Sequence, residues 1–217
     1  MEQQNNIWSV TLLLSAVAGY CDTVTFVAAD TIFSAHVTGN FIVFAYQMIK
    51  GSDLQAWIKL LTFPVFILAV MTGGWIKVKS SNQYILLLCQ GAILLIAGLT
   101  AMLFHALPVY LIAMLVVFAM GLQNAFGKLF AKETYGPTTM MTGNVTQLSL
   151  DTGALIRGRL KDAIAWESMK KQLITIGGFL AGCLLGAVIA QRTGLNAIIL
   201  PGIAMIVCYF STHKKTV

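Results

Sequence analysis

Charge is scarce in this chain. Only 10% of its 217 residues are charged, 58% are hydrophobic, and the mean hydropathy is +0.80. A soluble domain carries roughly 25% charged residues to cover its surface. Long apolar stretches with so little charge indicate an integral membrane protein in contact with a lipid bilayer. Acidic residues are rarer still, 8 against 14 Lys and Arg, for a formal charge of +6. That excess excludes a nucleic-acid surface, because no basic patch interleaves with aromatics. Most basic residues stand in the connections between apolar segments, where membrane topology accounts for them.

Reactive groups are equally sparse. Cys21, Cys89, Cys183 and Cys208 all lie inside apolar segments with no C-x-x-C pair. They read as small buried hydrophobes, which excludes a disulfide or zinc framework. None of the three histidines pairs with a cysteine or carboxylate at ligand spacing. There is no nucleophile–base pair and no phosphate loop. The expectation is therefore no catalytic residue, no metal, no cofactor and no enzyme activity. The opening "MEQQNN" lacks a positive n-region and an A-x-A site, so the first apolar run is expected to be a retained helix.

Six apolar segments can each cross a bilayer core of about 30 Å, which takes about 20 helical residues. They lie near 8–29, 57–76, 84–104, 108–128, 171–191 and 195–212. Two further runs begin with the same tripeptide, Thr38-Gly39-Asn40 and Thr142-Gly143-Asn144. The first, "TGNFIVFAYQMI", has about a dozen residues before Lys50, Gly51 and Ser52, enough helix for only about 18 Å. The second carries Asp151 and many hydroxyls. Both read as half-helices.

Charge placement favours re-entry of the two TGN segments. With re-entry and a cytoplasmic C-terminus, 11 of the basic residues fall inside and 3 outside: Lys50, Lys59 and Arg192. If both segments crossed fully, the division would be 9 against 5. The positive-inside rule prefers the first.

Re-entry leaves each half as spanning helix, re-entrant segment and two spanning helices. "AGYCDTVTF…HVTGN" in the first half matches "MGLQNAFGK…MMTGN" in the second. Gly19 aligns with Gly121, Asp22 with Asn124, Gln47 with Asp151, and the two TGN triplets with each other, given a two-residue insertion. An odd number of crossings per repeat makes the duplication inverted, a plan that recurs in secondary transporters. The expected fold is all-α: six spanning helices and two re-entrant half-helices in one membrane domain, 1–217. Repeat one covers 7–104 and repeat two 107–212.

The motifs "GYCDTVTF", "HVTGN", "MGLQNA" and "TGN" resemble the YoaK family of small bacterial membrane proteins, a domain of unknown function, over nearly the whole chain. The resemblance implies a multi-pass protein of the bacterial inner membrane. It implies no substrate.

The residues suggest where a substrate would bind. Two half-helix N-termini meeting at mid-membrane, capped by Thr or Asn and opened by Gly, would offer donors to an anion or polar group. The alternative is a capped helix start with no ligand, but symmetric duplication of such filler is less expected. Asp22, inside a spanning helix, is either a coupling site for a proton or cation or the cap of a half-helix. Gln123 and Asn124 either contact substrate or bond between helices. Lys128 lies one turn beyond Asn124 and could face the same cavity, but it is near a helix end, where snorkelling is ordinary, and that reading is preferred. His36 aligns with Met140 and reads as a loop residue at a wet mouth. Gly178, Gly182 and Gly186 form one stripe, fit for a contact within the chain or between protomers of a homo-oligomer.

The candidate substrate-binding set is thus Asp22, Thr38, Gly39, Asn40, Gln123, Asn124, Thr142, Gly143 and Asn144. The function expected of it is transport of a small polar or anionic solute, with a passive channel or a non-transporting scaffold as alternatives. Both termini are expected in the cytoplasm.

Overall fold

The computed structural model describes residues 2–51 and 53–213, with side chains for 7–51 and 56–212. Ser52, and the basic Lys214 and Lys215 counted above on the inner side, lie outside the described residues. Among the described residues every regular element is helical. In chain order these are α1 (Glu2–Ala28), α2 (Gly39–Ile49), α3 (Asp53–Lys79), α4 (Ile85–Leu103), α5 (Val109–Leu129), α6 (Met141–Arg157), α7 (Ala163–Thr193) and α8 (Ile199–His213).

Five stretches are long and apolar enough to cross a membrane: Ile7–Ala28, Ala56–Lys79, Ile85–Leu103, Val109–Leu129 and Ala163–Thr212. The last takes in two of the six expected segments. Gly194, at φ +61°, breaks it, and a 3-10 turn, Gly194–Ile198, leads into α8. The expected 171–191 segment extends back to Ala163 because Asp162 caps it there, accepting from the N–H groups of Ile164 (3.1 Å) and Ala165 (3.0 Å).

The outer faces are apolar. Trp57, Leu68, Met71 and Trp75 on α3, and Leu180, Leu184 and Val188 on α7, are all exposed. Soluble monomers seldom expose such continuous apolar surface, whereas lipid suits it. Lys79 lies over the Trp75 ring at 3.9 Å and Lys50 over Tyr46 at 4.6 Å, aromatic–basic pairs suited to the membrane surface. The chain is a helical membrane protein.

Small residues set the helix pairing. Gly178, Gly182 and Gly186 of α7 lie against Leu12, Ala16 and Tyr20 of α1, so the two helices run parallel. A Cβ on Gly182 would come within 2.0 Å of the Ala16 carbonyl oxygen. The stripe is therefore an internal seam. Helix α3 runs parallel to α5, with Gly121 against Phe66 and Ala69, and Gly73 against Ala125. Helices α4 and α8 are antiparallel: Gly91 meets Ile206, Leu95 meets Gly202, and Gly98 meets Ile199.

Candidate functional site

Two loops lead into the helices that begin at the TGN triplets, loop one (29–38) before α2 and loop two (130–140) before α6. Each is pinned from the helices around it. In loop one, Asp30 and Thr31 adopt left-handed backbone (φ 52° and 60°), which costs non-glycine residues roughly 1–2 kcal/mol each. Lys59 of α3, 1% exposed, holds this turn. Its ammonium donates to the Asp30 carbonyl oxygen and, at 2.7 Å, to the Asp30 carboxylate.

Further along, the Asp22 carboxylate accepts from the backbone N–H of Ala35 at 2.6 Å and of His36 at 3.3 Å. Its second oxygen meets His36 Nδ1 at 2.6 Å. His36 lies in the connection between α1 and α2, and its hydrogen bond to Asp22 raises its pKa above the ordinary histidine value. Asp22 itself is buried. The carboxylate that α1 carries thus ties down the loop that leads into α2.

Loop two repeats the plan with neutral groups. Asn124, the aligned partner of Asp22, accepts from the Thr139 hydroxyl at 2.8 Å. Gln123 donates to Thr138 Oγ1 at 3.0 Å and to the Leu14 carbonyl at 2.8 Å, and accepts from Gln90 at 2.7 Å. The backbone N–H of Tyr135 donates to Thr11 at 3.0 Å.

The asparagines of the TGN triplets do not cap. Neither Thr38 nor Met140, the residues at the two N-cap positions, makes a side-chain capping bond. Instead, each asparagine reaches back into its own loop. Asn40 Nδ2 donates to the Phe33 carbonyl at 2.8 Å, and its Oδ1 accepts from the Phe33 N–H at 2.9 Å. Asn144 Nδ2 donates to the Pro137 carbonyl at 2.7 Å. Proline has no N–H, so the reciprocal bond is missing there. Helix α6 also starts at Met141, which puts the second triplet inside its first turn.

Between the two loop tips lies a cavity of about 380 Å³. Loop one lends Ala35, Val37 and Thr38, and loop two Pro137, Thr138, Thr139 and Met140. Phe66 and Val70 of α3 and the 123–128 turn of α5, except Phe126, complete it.

Of the nine expected residues, Thr38, Gln123 and Asn124 line this cavity. Asp22 stands one contact away, through Ala35 and His36. Gly39 packs against the Phe33 ring, Asn40 and Asn144 are buried within their loops, and Thr142 and Gly143 are exposed on an outer face. The structure adds residues that spacing did not indicate: His36 on Asp22, Lys59 on Asp30, and Thr138 and Thr139 at the cavity. Lys128, for which snorkelling was the preferred reading, lines the cavity as its spacing from Asn124 allowed. Lys59, counted among the outer charges, is instead buried in the bundle.

A family model described as "Protein of unknown function (DUF1275)" matches residues 10–211. The match accords with the family resemblance of the motifs. No curated protein and no solved structure matches the chain.

Proposed function

The chain belongs to the DUF1275 family, and we infer from its residues that it carries a small polar or anionic solute across the membrane by alternating access. The solute sits in the cavity between loop one and loop two. The membrane is the bacterial inner membrane, with both termini in the cytoplasm.

An inverted repeat underlies this reading, and the helix directions support it. If α2 and α6 crossed fully, α4 and α8 would point the same way. They run antiparallel, as two re-entrant segments require, while α1 with α7 and α3 with α5 stay parallel. At 11 residues, α2 spans about 16 Å, half a bilayer core. The seams correspond as well. Phe66, Ala69 and Gly73 of α3 have the spacing of Phe179, Gly182 and Gly186 of α7. Phe66 and Phe179 meet the aligned Gly121 and Gly19, and Gly73 and Gly186 the aligned Leu122 and Tyr20, while Ala69 and Gly182 meet positions that do not align.

One observation carries the transport reading. Under the repeat alignment, the cavity residues Phe66, Lys128, Pro137 and Met140 fall on Phe179, Phe26, Phe33 and His36. Those four side chains form a filled cluster. Phe26 lies 4.9 Å from Phe33, Phe33 6.5 Å from His36, and His36 5.7 Å from Phe179, between ring centroids. The residues that line a cavity in one half have ring side chains in contact at the corresponding positions of the other. Inverted repeats that exchange such conformations give alternating access around a fixed site. A passive channel has no use for the difference.

Gly127 supplies the test. It borders the cavity, and a Cβ there meets nothing within 4 Å. Gly127→Leu should fold normally, since leucine is the better helix former by nearly 1 kcal/mol, while its side chain occupies the site. Proteoliposomes are loaded in turn with radiolabelled amino acids, carboxylates, amines, neutral alcohols and inorganic anions, and counterflow is measured. The parent should exchange at least one class and Gly127→Leu should lose it at equal protein. No exchange of any class by the parent would leave a scaffold as the better reading.

A further inference from the structure

The cavity describes its occupant. We infer that the solute is an amphipathic organic anion, with a single anionic headgroup at Lys128 and an apolar body against Phe66 and Val70. This rests on the transport site proposed above and narrows its solute class.

Three features of the cavity point the same way. First, its charge is one-sided. Of the described residues, Lys128 is the only charged one that lines it, and no carboxylate does. Among the described residues Lys128 has no ion-pair partner, unlike Lys59 and Lys171, each held by an acid. Second, a hydroxyl donor lines the same cavity. The Thr138 hydroxyl accepts from Gln123 and keeps its own proton to give. By contrast, the Thr139 hydroxyl already donates to Asn124. Third, the remaining wall is mainly apolar, with Ala35, Val37, Phe66, Val70, Ala125 and Met140.

These features rank the alternatives. A fully hydrated anion such as sulfate would lose its water to walls that return few hydrogen bonds. An amine would meet an uncompensated like charge. A neutral apolar molecule would fill the volume and leave the exposed Lys128 ammonium without a counter-charge at the cavity. A carboxylate with a small apolar body satisfies both ends, and about 380 Å³ is within the range of small-molecule sites.

The experiment uses the full chain in nanodiscs of zwitterionic lipid and four probes: 3-phenylpropionate, 3-phenylpropan-1-ol, 3-phenylpropylamine and sulfate. Saturable binding is measured for the parent, Lys128→Gln, Lys128→Arg and Gly127→Leu. The parent should bind the carboxylate at least tenfold more tightly than the alcohol, and the amine more weakly still. Sulfate should not displace the carboxylate. Lys128→Arg should keep the preference, Lys128→Gln should bring the carboxylate down to the alcohol, and Gly127→Leu should remove saturable binding of all probes. Equal binding of carboxylate and alcohol in the parent, or an unchanged preference in Lys128→Gln, would overturn the anionic headgroup and leave the cavity as a site. Displacement by sulfate at similar concentration would overturn the apolar body. If no probe binds, the inference falls, and the counterflow panel above decides separately whether the protein transports.

Discussion

Asp22 puts a carboxylate inside a spanning helix, where its charge costs at least a few kcal/mol unless other groups satisfy it. Two backbone N–H groups and the His36 ring do so. Asp22→Ala leaves the Ala35 and His36 N–H groups without an acceptor, and each buried unsatisfied group costs about 1–3 kcal/mol. Asp22→Asn keeps an oxygen that can accept and should cost much less. Thermal unfolding of both variants in one detergent should rank Ala well below Asn. The ring adds a pH dependence. Because the folded pKa of His36 is raised, the contribution of the pair is complete below about pH 6.5. It is lost as the pH rises through the higher folded value. Parent melting temperature should therefore fall over that rise, and His36→Gln should flatten the curve. A parent curve no steeper than the variant's would remove the pair as a source of stability. At this scale the sequence was partly legible. The misplaced charge of Asp22 announced a partner. It could not name His36, because the pairing depends on loop one turning back beside α1. Asn40 and Asn144 were legible as a matched pair, but their direction was not. A TGN triplet at a helix start suggests a cap, whereas both side chains choose a carbonyl seven residues upstream.

At the scale of helices, the α1–α7 seam depends on the absence of side chains. With the Ala16 carbonyl oxygen 2.0 Å from where a Cβ would stand, Gly182→Ala forces the helices apart. Overpacking of this kind costs typically 1–3 kcal/mol. Gly177, on the same helix, has nothing within 4 Å of its Cβ position, so Gly177→Ala should be neutral or slightly stabilising. Unfolding of the two variants side by side separates the seam from general helix propensity, and equal effects would refute it. The stripe itself was legible at its spacing of four. Its partner was not, because a small-residue stripe fits a helix of the same chain or of another. The end of α7 was also obscured: hydropathy runs on through Gly194, and only the positive φ there marks the break. The cavity was the least legible feature. It arises where residues from two loops and two helices converge, and although its spacing allowed Lys128 to face a cavity, its place near a helix end favoured snorkelling.

For the molecule as a whole, the decisive quantity is which end faces which compartment. In a cysteine-free background, a cysteine at position 106 should label from the outside and one at position 160 should not. The reverse result would sink the orientation and the inverted repeat together. Composition made the membrane class plain, and the duplicated motifs pointed to matched halves. The alignment also set Asp22 against Asn124 and His36 against Met140, but it did not disclose that the two unmatched groups bond to each other. The tip of loop one is fastened through an acid and an imidazole, Asp22 and His36. The tip of loop two is fastened through amides and hydroxyls, Asn124 to Thr139 and Gln123 to Thr138. Protons can loosen or tighten the first fastening and leave the second indifferent. Two loops held in like manner by different groups answer acidity differently. On the orientation proposed above, with loop one outside, acidity there would act on one loop alone, so the molecule would distinguish its two surroundings even when the solute is equal on both sides.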